Sequence, residues 1–359
     1  MKTKKLILTI MCLLTLSSLS YAQDSLECIL QIECQFQGYP SNNIVGGGDI
    51  NGDSYDDIVL STRETAEYPT GYVYIYLGSS QPDTIPDYII TGETDYDYFG
   101  YAVSYTGDLN NDGYDDLVVS APEYNNGMGL GEASWGRVYI YFGSNNFDII
   151  PDIILEGTDY ADDWIFLGFG KTVTTQGDFN NDGYDDLAVG SPGPSYYWNG
   201  QTDIFFGGED MDIEVDWHRQ GELLEGLWDP SLSAGDINGD NYDDIAIYIS
   251  IPFTDLSKVE IYAGGEIMDT IPDATLINEL SYQFGRYIAM DGDINNDSCN
   301  DLLISQSDPD QVNIYLGNQN LNLSCVYVLN YNNYIPNLFF ANINNDQFSD
   351  IVVSKPTDH

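Results

Sequence analysis

Six nine-residue segments concentrate the side chains that could do chemistry. They begin at Asp49, Asp108, Asp178, Asp236, Asp293 and Asn342, and each carries side-chain oxygens at its first, third, fifth and ninth positions. The residue at position 7 can add its backbone carbonyl, which completes the hard-oxygen shell of roughly 6 to 8 ligands that Ca²⁺ takes. The candidate metal ligands are therefore Asp49, Asn51, Asp53, Tyr55 and Asp57 in the first loop, and Asp108, Asn110, Asp112, Tyr114 and Asp116 in the second. The third and fourth loops offer Asp178, Asn180, Asp182, Tyr184 and Asp186, then Asp236, Asn238, Asp240, Tyr242 and Asp244. The fifth and sixth offer Asp293, Asn295, Asp297, Cys299 and Asp301, then Asn342, Asn344, Asp346, Phe348 and Asp350. Tyr, Cys and Phe at position 7 count only through their carbonyls. Position 8, Asp115 in the second loop, is expected to point away from the ion.

An EF-hand begins in the same way but needs a bidentate Glu at position 12, followed by a helix. Here that place holds Leu60, Val119, Val189, Ile247, Ile304 or Val353, each inside a strand-like run, so the helical loop is set aside. The competing reading is a metal-free surface turn. Five loops with three carboxylates each would repel themselves without a cation, which favours calcium in the first five. Gly113 and Gly183 suit the sharp turn at position 6, whereas Ser298 and Gln347 suit it poorly and Asn342 replaces the leading Asp. Loops five and six are thus the weaker sites. A loop whose ligands are all local wraps its ion, so these ions are structural rather than catalytic.

The 359 residues carry 58 acidic against 10 basic side chains, a net charge of −48, which repels phosphate backbones and anionic lipid and excludes nucleic acid as a partner. A hydrophobic fraction of 43% still permits a core, and 29 Tyr with 35 Gly favour strands and tight turns. Met1 to Lys5 is basic, Leu6 to Leu16 apolar, and Ser20-Tyr21-Ala22 a small-x-small cleavage site, together a secretory signal peptide over residues 1–22. The apolar run is too short to span a bilayer, so no membrane insertion is expected. The mature chain, 23–359, then sits in an oxidising compartment, secreted or at the cell surface, the periplasm included. Its cysteines, Cys28, Cys34, Cys299 and Cys325, allow three pairings, though an extended 28–34 segment cannot close on itself.

The acidic segments recur every 49 to 70 residues, each followed by an apolar run such as Leu117-Val118-Val119 and then an alternating one such as Val73-Tyr74-Ile75-Tyr76. Phe99-Gly100, Phe169-Gly170 and Phe284-Gly285 open the strands that lead into three of the loops. One unit holds about four strands in ~55 to 60 residues, the size of a propeller blade. With Phe-Gly before the loop, Asp-x-Asn-x-Asp within it and Ser120-Ala121-Pro122 after it, the chain resembles the FG-GAP repeat of integrin alpha-subunit propellers. The resemblance implies an all-β propeller of about six four-stranded blades, seven if the chain is truncated, closed by an N-terminal strand. Leu26 to Phe36 is the segment expected to pair with Ile335 to Ser354.

Opposite the acidic loops lie insertions carrying Tyr124, Trp135, Tyr160, Trp164, Tyr196, Tyr197 and Trp198. These aromatics either pack between blades or form a platform for a sugar or a protein partner. Catalysis has little to work with: His218 and His359 are the only histidines, and His218 reads as a surface residue in a polar connector. The expected function is a secreted, calcium-binding adhesion or binding module for an extracellular protein or glycan. The alternative is a carbohydrate-active enzyme, a lyase or glycoside hydrolase, on a calcium-stabilised propeller.

Overall fold

The computed structural model describes residues 6–12, 27–34, 39–63, 70–125, 134–157, 168–192, 200–221, 231–251, 254, 256–278, 283–307, 309–331, 337–342 and 346–354. Every regular element among them is a strand. β1 (Leu6–Cys12) and β2 (Glu27–Cys34) form an antiparallel pair by themselves. Four consecutive strands then build each blade. Blade 1 is β3 (Tyr39–Gly46), β4 (Ile58–Arg63), β5 (Tyr72–Tyr76) and β6 (Tyr88–Thr91). Blade 2 is β7 (Val103–Gly107), β8 (Asp116–Ala121), β9 (Arg137–Tyr141) and β10 (Ile153–Glu156). Blade 3 is β11 (Thr172–Thr174), β12 (Leu187–Ser191), β13 (Gln201–Phe205) and β14 (Trp217–Gln220). Blade 4 is β15 (Leu232–Gly235), β16 (Asp244–Ser250), β17 (Ser257–Tyr262) and β18 (Ala274–Ile277). Blade 5 is β19 (Ile288–Gly292), β20 (Asp301–Gln306), β21 (Gln311–Tyr315) and β22 (Cys325–Asn330), and β23 (Asn337–Ala341) with β24 (Asp350–Ser354) begins a sixth.

The innermost strands of successive blades pack side by side, from β3 on β7 through to β19 on β23. Five apolar cores fill the five seams so formed. In the first, Val59, Val73 and Ile75 of blade 1 meet Leu117, Val119 and Tyr139 of blade 2. In the next, Val118, Val138 and Ile140 of blade 2 meet Leu187, Val189 and Phe205 of blade 3. Second strands are buried on both faces, which is why they read as continuous apolar runs, and every residue of β8 is buried. The Phe-Gly pairs sit in these seams. Phe99, Phe169 and Phe284 are buried. Gly100 and Gly170 take φ of 80° and 85° against the preceding blade, where an added carbon would press on Ser61 or on Ser120 and Val138.

The propeller architecture is as expected, but its closure is not. β2 pairs with β1 and makes no ladder with β23 or β24, so the N-terminal strand does not complete the last blade. The apolar leader run supplies β2 with a full antiparallel partner, which satisfies the backbone groups that closure would have used. Among the described residues blade 6 therefore has two strands. β22 shows the consequence: it is exposed along its whole length, Tyr327 to 63%, whereas the fourth strands of blades 1 to 3 each bury at least one residue against the next blade.

Two residues beyond each third strand stands a glycine, and in blades 2 to 5 it is wedged between two carbonyls. An added carbon at Gly207 would overlap the Asp185 carbonyl and approach the Leu109 carbonyl of the preceding blade to 2.6 Å. Gly207→Ala is expected to cost about 2–3 kcal/mol of stability. Gly208→Ala, where the added carbon meets only Met211 N at 4.0 Å, should leave the midpoint nearly unchanged, a contrast that urea titration checks directly.

Candidate functional site

Each acidic loop joins the first and second strands of its blade, so all lie on one face of the propeller. Position 2 anchors the loop from below: Ile50, Leu109, Phe179 and Ile237 are fully buried. Position 9 anchors it from behind. Asp57, Asp116, Asp186, Asp244 and Asp301 have no solvent exposure, and each carboxylate accepts two backbone N–H bonds. One comes from position 2 of the same loop, as from Leu109 to Asp116 at 2.8 Å, and the other from the glycine beyond the third strand, as from Gly143 to Asp116 at 2.8 Å. The same two bonds recur in the other four loops. Burial, with a smaller contribution from like charges at positions 1 and 5, pushes Asp116, Asp186 and Asp244 up to about 8 and Asp57 and Asp301 up to about 6.

Position 1 organises the front of the loop. Asp108 Oδ1 accepts the N–H of Asp112 at 3.0 Å and Oδ2 that of Gly113 at 2.8 Å, and Asp49, Asp178, Asp236 and Asp293 do the same in their loops. This winding needs left-handed residues at position 6, and Ser54, Asn241 and Ser298 adopt φ of 69°, 71° and 70°. Ser298 therefore makes the same turn as glycine, so the fifth loop is folded like the others, against the sequence expectation. Residues 343–345 of the sixth lie outside the described residues.

The position 8 side chain is not idle. Asp115 Oδ2 accepts the N–H of Asp49 at 2.6 Å, while Asp115 N–H donates to the Asp49 carbonyl at 3.3 Å. Asp185 clasps Asp108 and Asp243 clasps Asp178 in the same two-bond manner. Ser349 does so for Asp293 with its hydroxyl, and Asn300 reaches Asp236 through its N–H. Every loop from the second onward thus grips the start of the loop before it. The signal in the sequence was a hydrogen-bonding side chain at position 8 in all six copies.

The donor set fits a calcium ion. All candidate ligands are oxygens, and they hold several carboxylates close enough to raise one another's pKa. Among the described residues no three acidic, His or Cys side chains come together as a metal-holding group. Two carboxamides are waiting: Asn238 Oδ1 and Asn295 Oδ1, both at position 3, are buried without a hydrogen-bond partner.

The aromatic candidates divide differently. Tyr124 is 3% exposed and lies under the Arg137 guanidinium, 3.8 Å from its ring centre, so it packs between strands and forms no platform. Trp135 is half-buried. Tyr160, Trp164, Tyr196, Tyr197 and Trp198 lie outside the described residues. Cys299 is a buried free thiol and Cys325 an exposed one.

A family model for the FG-GAP repeat matches residues 99–141 and 172–205, and one for an FG-GAP-like repeat matches 49–119. The matched stretches fall in blades 1 to 3 and are similar to FG-GAP repeats. It is 30% identical over 221 residues to integrin alpha-5 of Xenopus laevis and 31% identical over 214 residues to integrin alpha-8 of Gallus gallus, covering 56% of this chain and 19% of each relative. Integrin alpha-IIb of Mus musculus is 34% identical over 177 residues, covering 48% of this chain and 16% of its own length. The solved Dos1 propeller aligns with 90% of this chain and 83% of its own at 10% identity and a TM-score of 0.44.

Two predictions follow from the loop geometry. In chelator, Asp115→Ala should cost about 1–3 kcal/mol by stranding the Asp49 N–H, while Asp115→Asn retains an acceptor and most of the stability. Chemical denaturation of the two variants reads the difference. The raised position 9 carboxyls bind more protons folded than unfolded between the ordinary value of about 4 and their own 6 to 8. Their stabilisation is present below pH ~4 and lost as pH rises through ~8. The midpoint of the chelated protein should therefore fall across that window, and added Ca²⁺ should flatten or reverse the slope.

Proposed function

We propose that the chain is a secreted, calcium-binding FG-GAP propeller that serves as an adhesion or ligand-binding module outside the cell, for a protein or a glycan. The observation that carries this reading is the similarity to integrin alpha chains over about half of the chain, with FG-GAP-type repeats matched at 49–119, 99–141 and 172–205. Calcium is supported by the all-oxygen loops and by the unpartnered Asn238 and Asn295 oxygens. Export is supported by residues 1–22, whose removal leaves Gln23 at the N-terminus of the recovered protein. No helix among the described residues is long and apolar enough to cross a membrane.

In this reading the calcium face is structural, and the ligand meets the opposite face, where Trp135 lies; Trp164 and Trp198 fall outside the described residues and join it as candidates from the sequence alone. The ions act through rigidity, fixing the loops from which each blade and its neighbour are hung. Five ions are expected, one for each loop beginning with Asp49, Asp108, Asp178, Asp236 and Asp293.

The test is an array of extracellular-matrix proteins and glycans, run with Ca²⁺ and with chelator, beside a polysaccharide depolymerisation assay. Calcium-dependent binding that Trp164→Ala weakens about tenfold, at an unchanged melting temperature, is the expected result. Depolymerisation of a polysaccharide without stable binding would overturn the reading in favour of an enzyme.

A further inference from the structure

The seam between blades 2 and 3 holds a cavity of about 630 Å³, within the range of small-molecule sites. Its origin is a single residue. In blade 2 the third-strand residue paired with position 12 of the acidic segment, Val119, is Tyr139, buried and in edge-to-face contact with Phe99 at 5.4 Å, so that seam is full. Blade 4 has Glu260 there, filled in by Arg219, Lys258 and Tyr262. Blade 3 has Asp203, short enough to leave the space open in front of Leu155, Phe169 and Phe205.

Asp203 is 3% exposed yet well bonded. Its Oδ2 accepts from Gln201 Nε2 at 3.0 Å, and its Oδ1 lies 2.6 Å from His218 Nδ1. A carboxylate at that distance holds a proton on Nδ1 and pushes the imidazole pKa up. Gln201 gives one amide hydrogen to Asp203 and keeps its oxygen and a second hydrogen. The remaining polar groups lining the cavity are the carboxylates Glu156, held on one side by Arg137, and Glu214. A cavity walled by apolar side chains thus carries three carboxylates against one imidazole.

We propose that this cavity binds an organic cation, an ammonium or guanidinium group carried on an apolar stem. The acceptors take its hydrogens, the carboxylates balance its charge, and Leu155, Phe169, Phe205, Ile213 and Val215 cover the stem. A carboxylate or phosphate of the same size meets repulsion from Asp203, Glu156 and Glu214. The lining includes no residue of the acidic loops.

The experiment is calorimetric titration of the full chain, with Ca²⁺ present, using phenethylammonium, hydrocinnamate and a blocked Leu-Lys-Leu peptide. Phenethylammonium or the peptide should bind about tenfold or more tightly than hydrocinnamate. The tighter of the two cations assigns the source, a free amine or a partner's lysine. Asp203→Tyr, which rebuilds the blade 2 arrangement, should abolish binding without lowering the melting temperature. Should that variant fail to fold, Glu156→Gln with Glu214→Gln at the rim should weaken binding by about tenfold. Equal binding of hydrocinnamate, cation binding that survives these substitutions, or no binding by either cation up to about 10 mM overturns the proposal.

Discussion

Five aspartates, Asp57, Asp116, Asp186, Asp244 and Asp301, lie without solvent exposure where the acidic loop, the second strand and the end of the third strand meet. Each accepts an N–H from its own loop and another from the glycine beyond the third strand, so one carboxylate fixes three pieces of backbone at once. A buried carboxylate with two such bonds is still costly when ionised, as the raised pKa of each shows. A neighbouring cation is the natural way to keep it charged. Blade geometry and metal binding are therefore one problem solved by one residue.

From that joint the order spreads sideways. The glycine that serves Asp116 is held between the Asp115 carbonyl and the Ile50 carbonyl of the blade before, and Ser144 N–H bonds Ile50 O at 2.9 Å. Position 8 adds its two bonds to position 1 of the preceding loop. The face that bears the acidic loops is thus a continuous belt of polar links, while the seams beneath it are apolar. The six acidic segments hold 21 of the 58 acidic side chains, and there the carboxylates serve as caps and clasps.

Much of this was legible in the sequence, for physical reasons. Repeated Asp-x-Asn-x-Asp spacing with apolar runs at strand length allows few folds, and the double-sided burial of Leu117 to Val119 was foreseeable from their unbroken hydrophobicity. The clasp by Asp115 was overlooked because its partner lies 66 positions away, although a hydrogen-bonding side chain recurs at position 8 of every copy. Ser298 was misjudged because loop winding by Asp293 offsets the strain of its left-handed backbone. β2 pairs along its length with β1 and not with the last blade. His218 is exposed, as its sequence reads, but nothing in Trp217-His218-Arg219 reveals that the register sets it opposite Asp203.

The central claim, that bound cations hold the charge of the buried aspartates, is tested most directly by proton release. At pH 7 the metal-free protein should hold protons on Asp116, Asp186 and Asp244, whose values lie near 8, and ordinary surface carboxylates should hold none. Titrating Ca²⁺ into weakly buffered, chelator-stripped protein should therefore release roughly three protons per chain as the ions bind. Saturable calcium binding with no proton release would show that the ions sit elsewhere and that the buried aspartates are indifferent to them.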